Sequence, residues 1–514
     1  MAKSRTYYSL KNTTVGMVAQ LATYLLTFIN RTIFVRFLDV VYLGCNGLFS
    51  NILTMLSLAE LGIGAAIAFC LYKPLAENDQ QKTSAYMNSY KHAYRLIACV
   101  VAIAGLCILP FLDKIVASDS GLSYEELRNI YVLFLANMVG SYFFAYKQSL
   151  FSAAQMEYKN TINNTVFAFI RNLLQFLVLL ITKSYYGYLI TMILCTVASN
   201  ISISYQCDKC FPYLKNSTEQ LNSSERKQLY KYVLAQSSHK VGGIVVSGTD
   251  NLLITMLVNN GLKLVGLYSN YLMVTSTINS VMTTITRSLT GSIGNLNVND
   301  DISKRKQVFD ELMMSVAFFY GIVSVCILCL VQDFIALWIG ESYLLQYSTV
   351  VVVVFNFYIT GMRMPCQVFN TTLGLFWNDR YKPWVEASIN LLASILLIKT
   401  FGLTGVFLGT LVSTVSTSLW VEPYILYKHG FKMQLLGYFR SYCVYVVEML
   451  VTLFVCYEVG KLISSTNWGV WLIKAVVIFL ISTGIFVLMS FKQPAFLGIK
   501  KRFMGLVGQV RKER

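Results

Sequence analysis

Six basic side chains lie within or directly beside long apolar stretches of the sequence. They are Arg31, Arg36, Arg171, Lys240, Arg287 and Arg363. An ionisable residue at the centre of a membrane helix costs about 2.5–3.5 kcal/mol on insertion scales, so such residues are functional candidates. We predict that the five arginines bind an anionic substrate in a shared cationic cavity, because each guanidinium presents a planar fork of donors to an oxyanion. The alternatives are snorkelling to the membrane surface and ion pairing between helices.

Acidic residues occur in the same apolar stretches. Glu60 follows Ala59 and precedes Gly62, and small residues of this kind permit close helix packing. Its carboxylate is either a coupling group or the partner of a cavity arginine. Asp250 and Lys240 are further coupling or ion-pair candidates, and their separation along one helix favours separate partners. The other acidic residues inside apolar stretches are Glu386, Glu422, Glu448 and Glu458.

Composition identifies the elements that must position these side chains. The chain of 514 residues is 55% hydrophobic and only 13% charged, whereas soluble domains are about 25% charged. Many apolar runs reach the 18 residues that cross a hydrocarbon core of about 30 Å, and they are too long for barrel strands. The fold class is therefore an all-α integral membrane protein with about fourteen spans, twelve being the alternative. The predicted spans are 13–34, 44–72, 96–117, 129–151, 162–182, 186–206, 232–258, 265–290, 310–331, 347–373, 385–400, 403–427, 441–461 and 468–490.

The basic residues are distributed unequally between the connections. Most of them fall at the amino terminus, in the even-numbered loops and in the carboxyl-terminal tail, whereas the odd-numbered connections hold few. Because Lys and Arg are retained on the cytoplasmic side, both termini are predicted to be cytoplasmic. The net charge of +17 is thus mainly an orientation signal, and nucleic-acid binding is not expected.

Two short segments repeat at nearly the same offset. Residues 47–53 (GLFSNIL) match residues 266–272 (GLYSNYL), and residues 187–197 align more weakly with residues 405–415. A duplicated unit of six helices inserts the same way round each time, which predicts two parallel lobes with the substrate path between them. The predicted domains are 1–220, a first six-helix lobe, 221–435, a second one, and 436–514, two further helices with a basic tail.

Three segments near the amino terminus resemble a known family. Residues 34–38 (FVRFL), 56–64 (LSLAELGIG) and 71–79 (LYKPLAEND) are similar to the polysaccharide-transport branch of the multidrug/oligosaccharidyl-lipid/polysaccharide exporter superfamily. One departure is Asp39, where many relatives have Gly. A carboxylate there would weaken the positive field of Arg36.

The resemblance implies a flippase that works by alternating access around a central cationic cavity. The implied substrate is an undecaprenyl-diphosphate-linked oligosaccharide, moved from the cytoplasmic to the periplasmic leaflet of the bacterial inner membrane for cell-surface polysaccharide biosynthesis. A diphosphate suits arginine forks, which agrees with the cationic residues above. The implied partners are the lipid-linked saccharide, membrane lipids and glycan polymerases.

Other functions of a membrane protein are weighed against this one. A lipid II flippase and a cation-coupled drug exporter belong to the same superfamily, and the arginines argue against the exporter. A membrane glycan polymerase or ligase would be an enzyme with a large extracytoplasmic loop, which the spacing of the spans excludes. No Walker-type loop occurs, and Cys207 and Cys210 supply only two of the four ligands of a structural zinc site. We therefore expect neither enzymatic activity nor a metal or other cofactor.

Overall fold

A computed structural model describes residues 5–60, 63–116, 121–215, 217–299, 301–375 and 378–502. Within these ranges, the side chains of residues 5–15, 17, 21, 59, 65, 144–145, 231, 234–247, 287–292 and 295–299 are also outside the description. The described chain is helical and contains no strand. The prediction of an all-α fold is confirmed.

The chain divides into two compact units, residues 1–266 and 267–514, whereas the predicted domain boundary lies near residue 220. Helices that begin in the first unit are α1 (Arg5–Phe37), α2 (Val40–Leu56), α3 (Ile63–Ala76), α4 (Gln80–Ile108), α5 (Leu112–Ile115), α6 (Tyr124–Ala153), α7 (Glu157–Thr182), α8 (Tyr185–Cys210), α9 (Ser223–Leu257) and α10 (Gly261–Asn299). Helices of the second unit are α11 (Ile302–Ile339), α12 (Tyr347–Met362), α13 (Met364–Thr372), α14 (Lys382–Phe401), α15 (Leu403–Ser416), α16 (Ser418–Ile425), α17 (Leu436–Lys461) and α18 (Trp468–Ser490). A short helix over residues 494–502 follows α18.

Ten of the described helical segments are long and apolar enough to cross a membrane, or eleven if the bent helix α6 is one span. The protein is therefore a multi-pass membrane protein. Each of the fourteen predicted spans overlaps a helix or a pair of helices in the structure, but a count of fourteen crossings stays a prediction.

The second predicted span is broken in the structure. Helix α2 ends at Leu56 and is followed by a 3₁₀ turn over Ser57–Glu60, before α3 continues the apolar sequence. A broken span exposes backbone groups that must face protein or water rather than lipid. The break places Glu60 at the junction of the two helices.

In the first unit, α1 packs on α7, α7 on α8, α8 on α6, and α6 on α4. The amino-terminal end of α2 approaches the first turns of α10 very closely. A Cβ atom added to Gly44 would lie 1.9 Å from the carbonyl oxygen of Leu262, and one added to Gly266 would lie 2.3 Å from that of Val40. Only glycine fits at these two positions.

In the second unit, α14 and α15 form a helical hairpin whose turn is Gly402, with φ +54. Helix α11 packs against α12, α17 and α18, so the last two helices are integral to this unit. The tenth predicted span is divided at Arg363 into α12 and α13, and Pro365 lies in the first turn of α13. Proline lacks the amide proton that would continue the helix, which explains the division.

Candidate functional site

Two adjacent cavities lie in the first unit, and Arg171 on α7 borders both. One, of about 220 Å³, lies between α1, α2, α7 and α8 and is also lined by Arg31. The other, of about 360 Å³, is lined by α7 and α8 with Thr23 of α1, and most of its polar groups are hydroxyls and amides. No described carboxylate lines either cavity. The packing of α1 on α7 thus brings two of the predicted arginines to one polar space.

Neutral side chains form the wall of the smaller cavity. Asn30 donates from Nδ2 to Asn172 Oδ1, and to Gln175 Oε1 at 3.1 Å. The hydroxyl of Tyr188 donates to Asn30 Oδ1 at 3.3 Å, and Gln175 Nε2 donates to the carbonyl of Tyr188 at 3.2 Å. This network ties α1, α7 and α8 together next to both arginines, so the neighbours of the two guanidinium groups are held in place.

The guanidinium group of Arg171 is not paired with any of these neighbouring side chains. Its guanidinium makes no hydrogen bond or ion pair with any side chain in the described ranges, and it interacts electrostatically with Tyr188, as does Arg31. A half-buried guanidinium without a carboxylate keeps its donors for a ligand. The cavity is suited to an oxyanion.

Arg36 lies apart from both cavities. It is exposed in the last turn of α1 and lines neither of the two cavities. Asp39, which was predicted to weaken its field, caps the amino terminus of α2 by accepting a hydrogen bond from the amide of Val41 at 2.9 Å. That carboxylate therefore has a local structural role.

Glu60 is surrounded by tyrosines. Tyr94 donates its hydroxyl to Glu60 Oε1, and Tyr142 also hydrogen-bonds to the carboxylate. The hydroxyl of Tyr90 donates to that of Tyr94 at 3.1 Å and lies 3.1 Å from Ser149 Oγ. Glu60 forms no ion pair with a basic side chain of the described chain, so none of Arg31, Arg36 and Arg171 is its partner.

Arg363 lies in a charged cluster of the second unit. Its Nη2 is 2.7 Å from Glu422 Oε1 and its Nε donates to Glu422 Oε2 at 3.2 Å, a bidentate pair. Its Nη1 is 3.4 Å from Glu386 Oε1. Lys382 also contacts Glu422, and the hydroxyl of Ser418 donates to Glu386 Oε2 at 2.8 Å. The side chain of Glu422 is 2% exposed, so this cluster is buried.

One carboxylate of this cluster lies in the loop before α14. Asp379 is 3.0 Å from Lys382 Nζ. Burial raises the pKa of Asp379 above its ordinary value, although the positive charge of Lys382 acts in the opposite direction. Desolvation therefore offsets part of the stabilisation that this ion pair contributes.

Three other predicted site residues are Asp250, Lys240 and Arg287. Asp250 is half-buried on α9. The side chains of Lys240 and Arg287 lie outside the described residues. Convergence of all five arginines on one cavity therefore remains a prediction.

The chain matches a family model described as "Polysaccharide biosynthesis protein" over residues 9–290. The chain belongs to this family. The match covers more than half of the sequence, from within α1 to within α10, and it confirms the predicted resemblance to the polysaccharide-transport branch of the superfamily.

Solved structures of similar fold are transporters and flippases. A structure of the lipid II flippase MurJ in an inward closed conformation is 11% identical, with a TM-score of 0.66, and the match covers 92% of this chain and 98% of that one. An inward-facing multidrug resistance MATE family transporter of the MOP superfamily is 14% identical, with a TM-score of 0.59, over 80% of this chain and 99% of that one. A point mutant of the Vibrio cholerae MATE transporter VcmN is 15% identical, with a TM-score of 0.55, over 84% and 99%. At these identities the likeness establishes the fold. No curated protein sequence matches the chain.

For this member of the polysaccharide biosynthesis family, sequence reasoning overlooked the neutral partners of the charges. Asn30, Asn172 and Gln175 carry amides inside apolar helices, a signal that was available because buried amides require partners. Lys382 lies before the predicted span 385–400, and the structure places it in contact with Glu422. The family and the fold indicate a transporter or flippase, and the cavity of Arg31 and Arg171 brings two guanidinium groups together without a described carboxylate.

Proposed function

We propose that this protein is a flippase that moves a lipid-linked oligosaccharide from the cytoplasmic to the outer leaflet by alternating access. The observation that carries the proposal is the cavity of Arg31 and Arg171, which offers two guanidinium groups and neutral donors but no described carboxylate. The lipid carrier is an undecaprenyl diphosphate, the membrane is the bacterial inner membrane, and both termini are cytoplasmic.

A diphosphate is the part of such a substrate that this cavity recognises. It carries at least two negative charges and loses hydration when it leaves water. Arginine replaces that hydration with two parallel hydrogen bonds, and a tyrosine or amide supplies neutral ones. A volume of about 220 Å³ is too small for a whole glycolipid, so the saccharide and the polyprenyl chain must lie outside it.

Transport in this scheme needs no ATP. An inside-negative membrane potential acts at about 2.3 kcal/mol per charge per 100 mV and favours outward movement of an anion. Glu60, which is held by tyrosine hydroxyls rather than by a cation, is the described carboxylate of the first unit best placed to couple transport to an ion. Asp250 and Lys240 are the other coupling candidates.

The proposal is tested by complementing a glycan-export mutant with the variants Arg31→Ala, Arg171→Ala and the double variant. We expect export to fall about tenfold or more in each single variant, because one charge-assisted hydrogen-bonding pair is worth about 1.5–3 kcal/mol. The variants Arg31→Lys and Arg171→Lys keep the charge but lose the fork, so export should fall less. Arg128→Ala, which removes an exposed arginine of α6, is the matched control.

The transported molecule is identified separately. In cells that lack the gene, the lipid-linked intermediate that accumulates should be a diphosphate-linked oligosaccharide. Accumulation of lipid II would instead indicate that this protein transports lipid II, the substrate named for the structurally similar MurJ. Full export by the double arginine variant, at wild-type membrane levels, would refute the role of this cavity.

A further inference from the structure

A further cavity, of about 970 Å³, lies in the first unit and is not lined by the arginines discussed above. It is enclosed by α3, α4, the first turns of α9 and the connection that precedes α9. Asn88 of α4 fixes that connection, because its Nδ2 donates to the carbonyls of Ser217 at 2.9 Å and Glu219 at 3.0 Å. The cavity is thus bounded by a connection held in a defined position.

One part of the lining is basic. Lys91, Arg95 and Arg226 contribute three cations, with His92 beside them and Glu219 as the opposing carboxylate. None of the three cations forms an ion pair or hydrogen bond with the part of the chain that the structure describes. Their donors are free to bind an anion.

The other part of the lining is apolar and continues along a membrane helix. Leu96 and Val100 line the cavity, and Ile103 and Leu106 extend the same exposed surface of α4 away from Arg95. Eleven residues separate Arg95 from Leu106, which is about 16 Å at 1.5 Å per residue. That length is about half of a hydrocarbon core of about 30 Å, the depth of one leaflet.

We propose that this cavity binds one anionic phospholipid, with the phosphate of the headgroup at Lys91, Arg95 and Arg226 and an acyl chain along Leu96 to Leu106. A soluble anion would use the cations but leave the apolar wall uncovered, and an uncharged lipid would leave the cations without partners. Basic pockets at the cytoplasmic ends of membrane helices bind anionic headgroups in this way. The bound lipid is separate from the transported substrate, and the proposal does not depend on what is transported.

The test measures lipid binding to the purified full chain in detergent by native mass spectrometry. Phosphatidylglycerol should bind about tenfold or more tightly than phosphatidylcholine, whose phosphate is balanced by a cation in the headgroup. The variant Lys91→Gln/Arg95→Gln/Arg226→Gln should lose this preference, and Arg95→Gln alone should lose part of it. The matched control is Lys209→Gln/Lys215→Gln/Lys227→Gln, which removes three exposed cations near the same connection and should keep the preference.

Each of three other outcomes would overturn the proposal. Wild-type preference in the triple variant would show that phosphatidylglycerol binds elsewhere. Displacement of phosphatidylglycerol by inorganic phosphate would indicate an anion site without a lipid. Competition by a polyprenyl diphosphate would place the cavity in the transport path. Elution as a single species verifies that the triple variant folds, and the single Arg95→Gln variant decides the question if the triple variant does not.

Discussion

Two regions of this protein hold an arginine at a position predicted to bind substrate, and their surroundings differ. Arg171 of the first unit borders two polar cavities, and no described carboxylate lines either of them. Arg363 of the second unit contacts two buried carboxylates, and one of those also contacts Lys382. The donors of Arg171 therefore remain available to a ligand, whereas those of Arg363 are used in ion pairs within the second unit.

The difference shows that an arginine inside an apolar helix is not by itself a substrate site. The insertion cost of the charge is offset either by a ligand and water or by an internal carboxylate. An arginine that is already bound bidentately has few donors left for a diphosphate. Arg363 therefore acts in transport only if its ion pairs open.

The largest expected effect tests whether the second region is structural. Glu422→Gln removes the charge that Arg363 and Lys382 share, and it leaves two buried cations with less compensation. We expect a loss of about 3–5 kcal/mol in the free energy of unfolding, the range for breaking a buried ion pair. Thermal unfolding of the purified protein measures it. A loss below about 1 kcal/mol would show that the pairs are open in solution and that Arg363 is available to a substrate.

The double variant Arg363→Met/Glu422→Leu provides the control for this prediction. It replaces the bidentate pair with apolar side chains of similar size, which is less costly than removing one partner. Its loss of stability should be smaller than the sum for Arg363→Met and Glu422→Leu. Additive losses would mean that the two side chains act independently.

A smaller effect is expected at Glu60, a carboxylate of the first unit that forms no ion pair with the described residues. Tyr94→Phe removes one hydroxyl that Glu60 accepts from, while Tyr142 still donates to it. Hydrogen bonds to charged groups contribute about 1.5–3 kcal/mol, so unfolding should become easier by up to that amount. Tyr131→Phe is the matched control, since that hydroxyl donates to the backbone carbonyl of Gly105 at 3.0 Å. An equal effect of both variants would indicate that the hydrogen bond to Glu60 contributes no more than a hydrogen bond to a backbone carbonyl.

The sequence predicted the fold class and part of the site, for identifiable reasons. Long apolar runs lead to helices whatever their neighbours are, so the predicted spans overlap the helices of the structure. The proximity of Arg31 and Arg171 depends on the packing of α1 on α7, which no local pattern encodes. The partners of Arg363 were likewise hidden, because Glu422 lies on α16 and Glu386 on α14, far away along the chain. The short break at Ser57–Glu60 was missed because its four residues include neither proline nor glycine.

The smallest effect on stability is expected at Arg171. This prediction tests directly whether the surroundings of Arg171 and Arg363 differ. Arg171→Ala removes no ion pair or hydrogen bond to any described residue, so the free energy of unfolding should change by no more than about 0.5 kcal/mol. The same variant should lose glycan export, since a ligand rather than the protein uses its donors. A large loss of stability would place Arg171 in the same class as Arg363, and the two regions would then not differ. Unchanged stability with unchanged export would leave the first cavity without a role in transport. Only retained stability together with lost export supports the difference between the two regions. Both are measured on the same preparation of cells: the free energy of unfolding on the protein in detergent, and export as the surface glycan content.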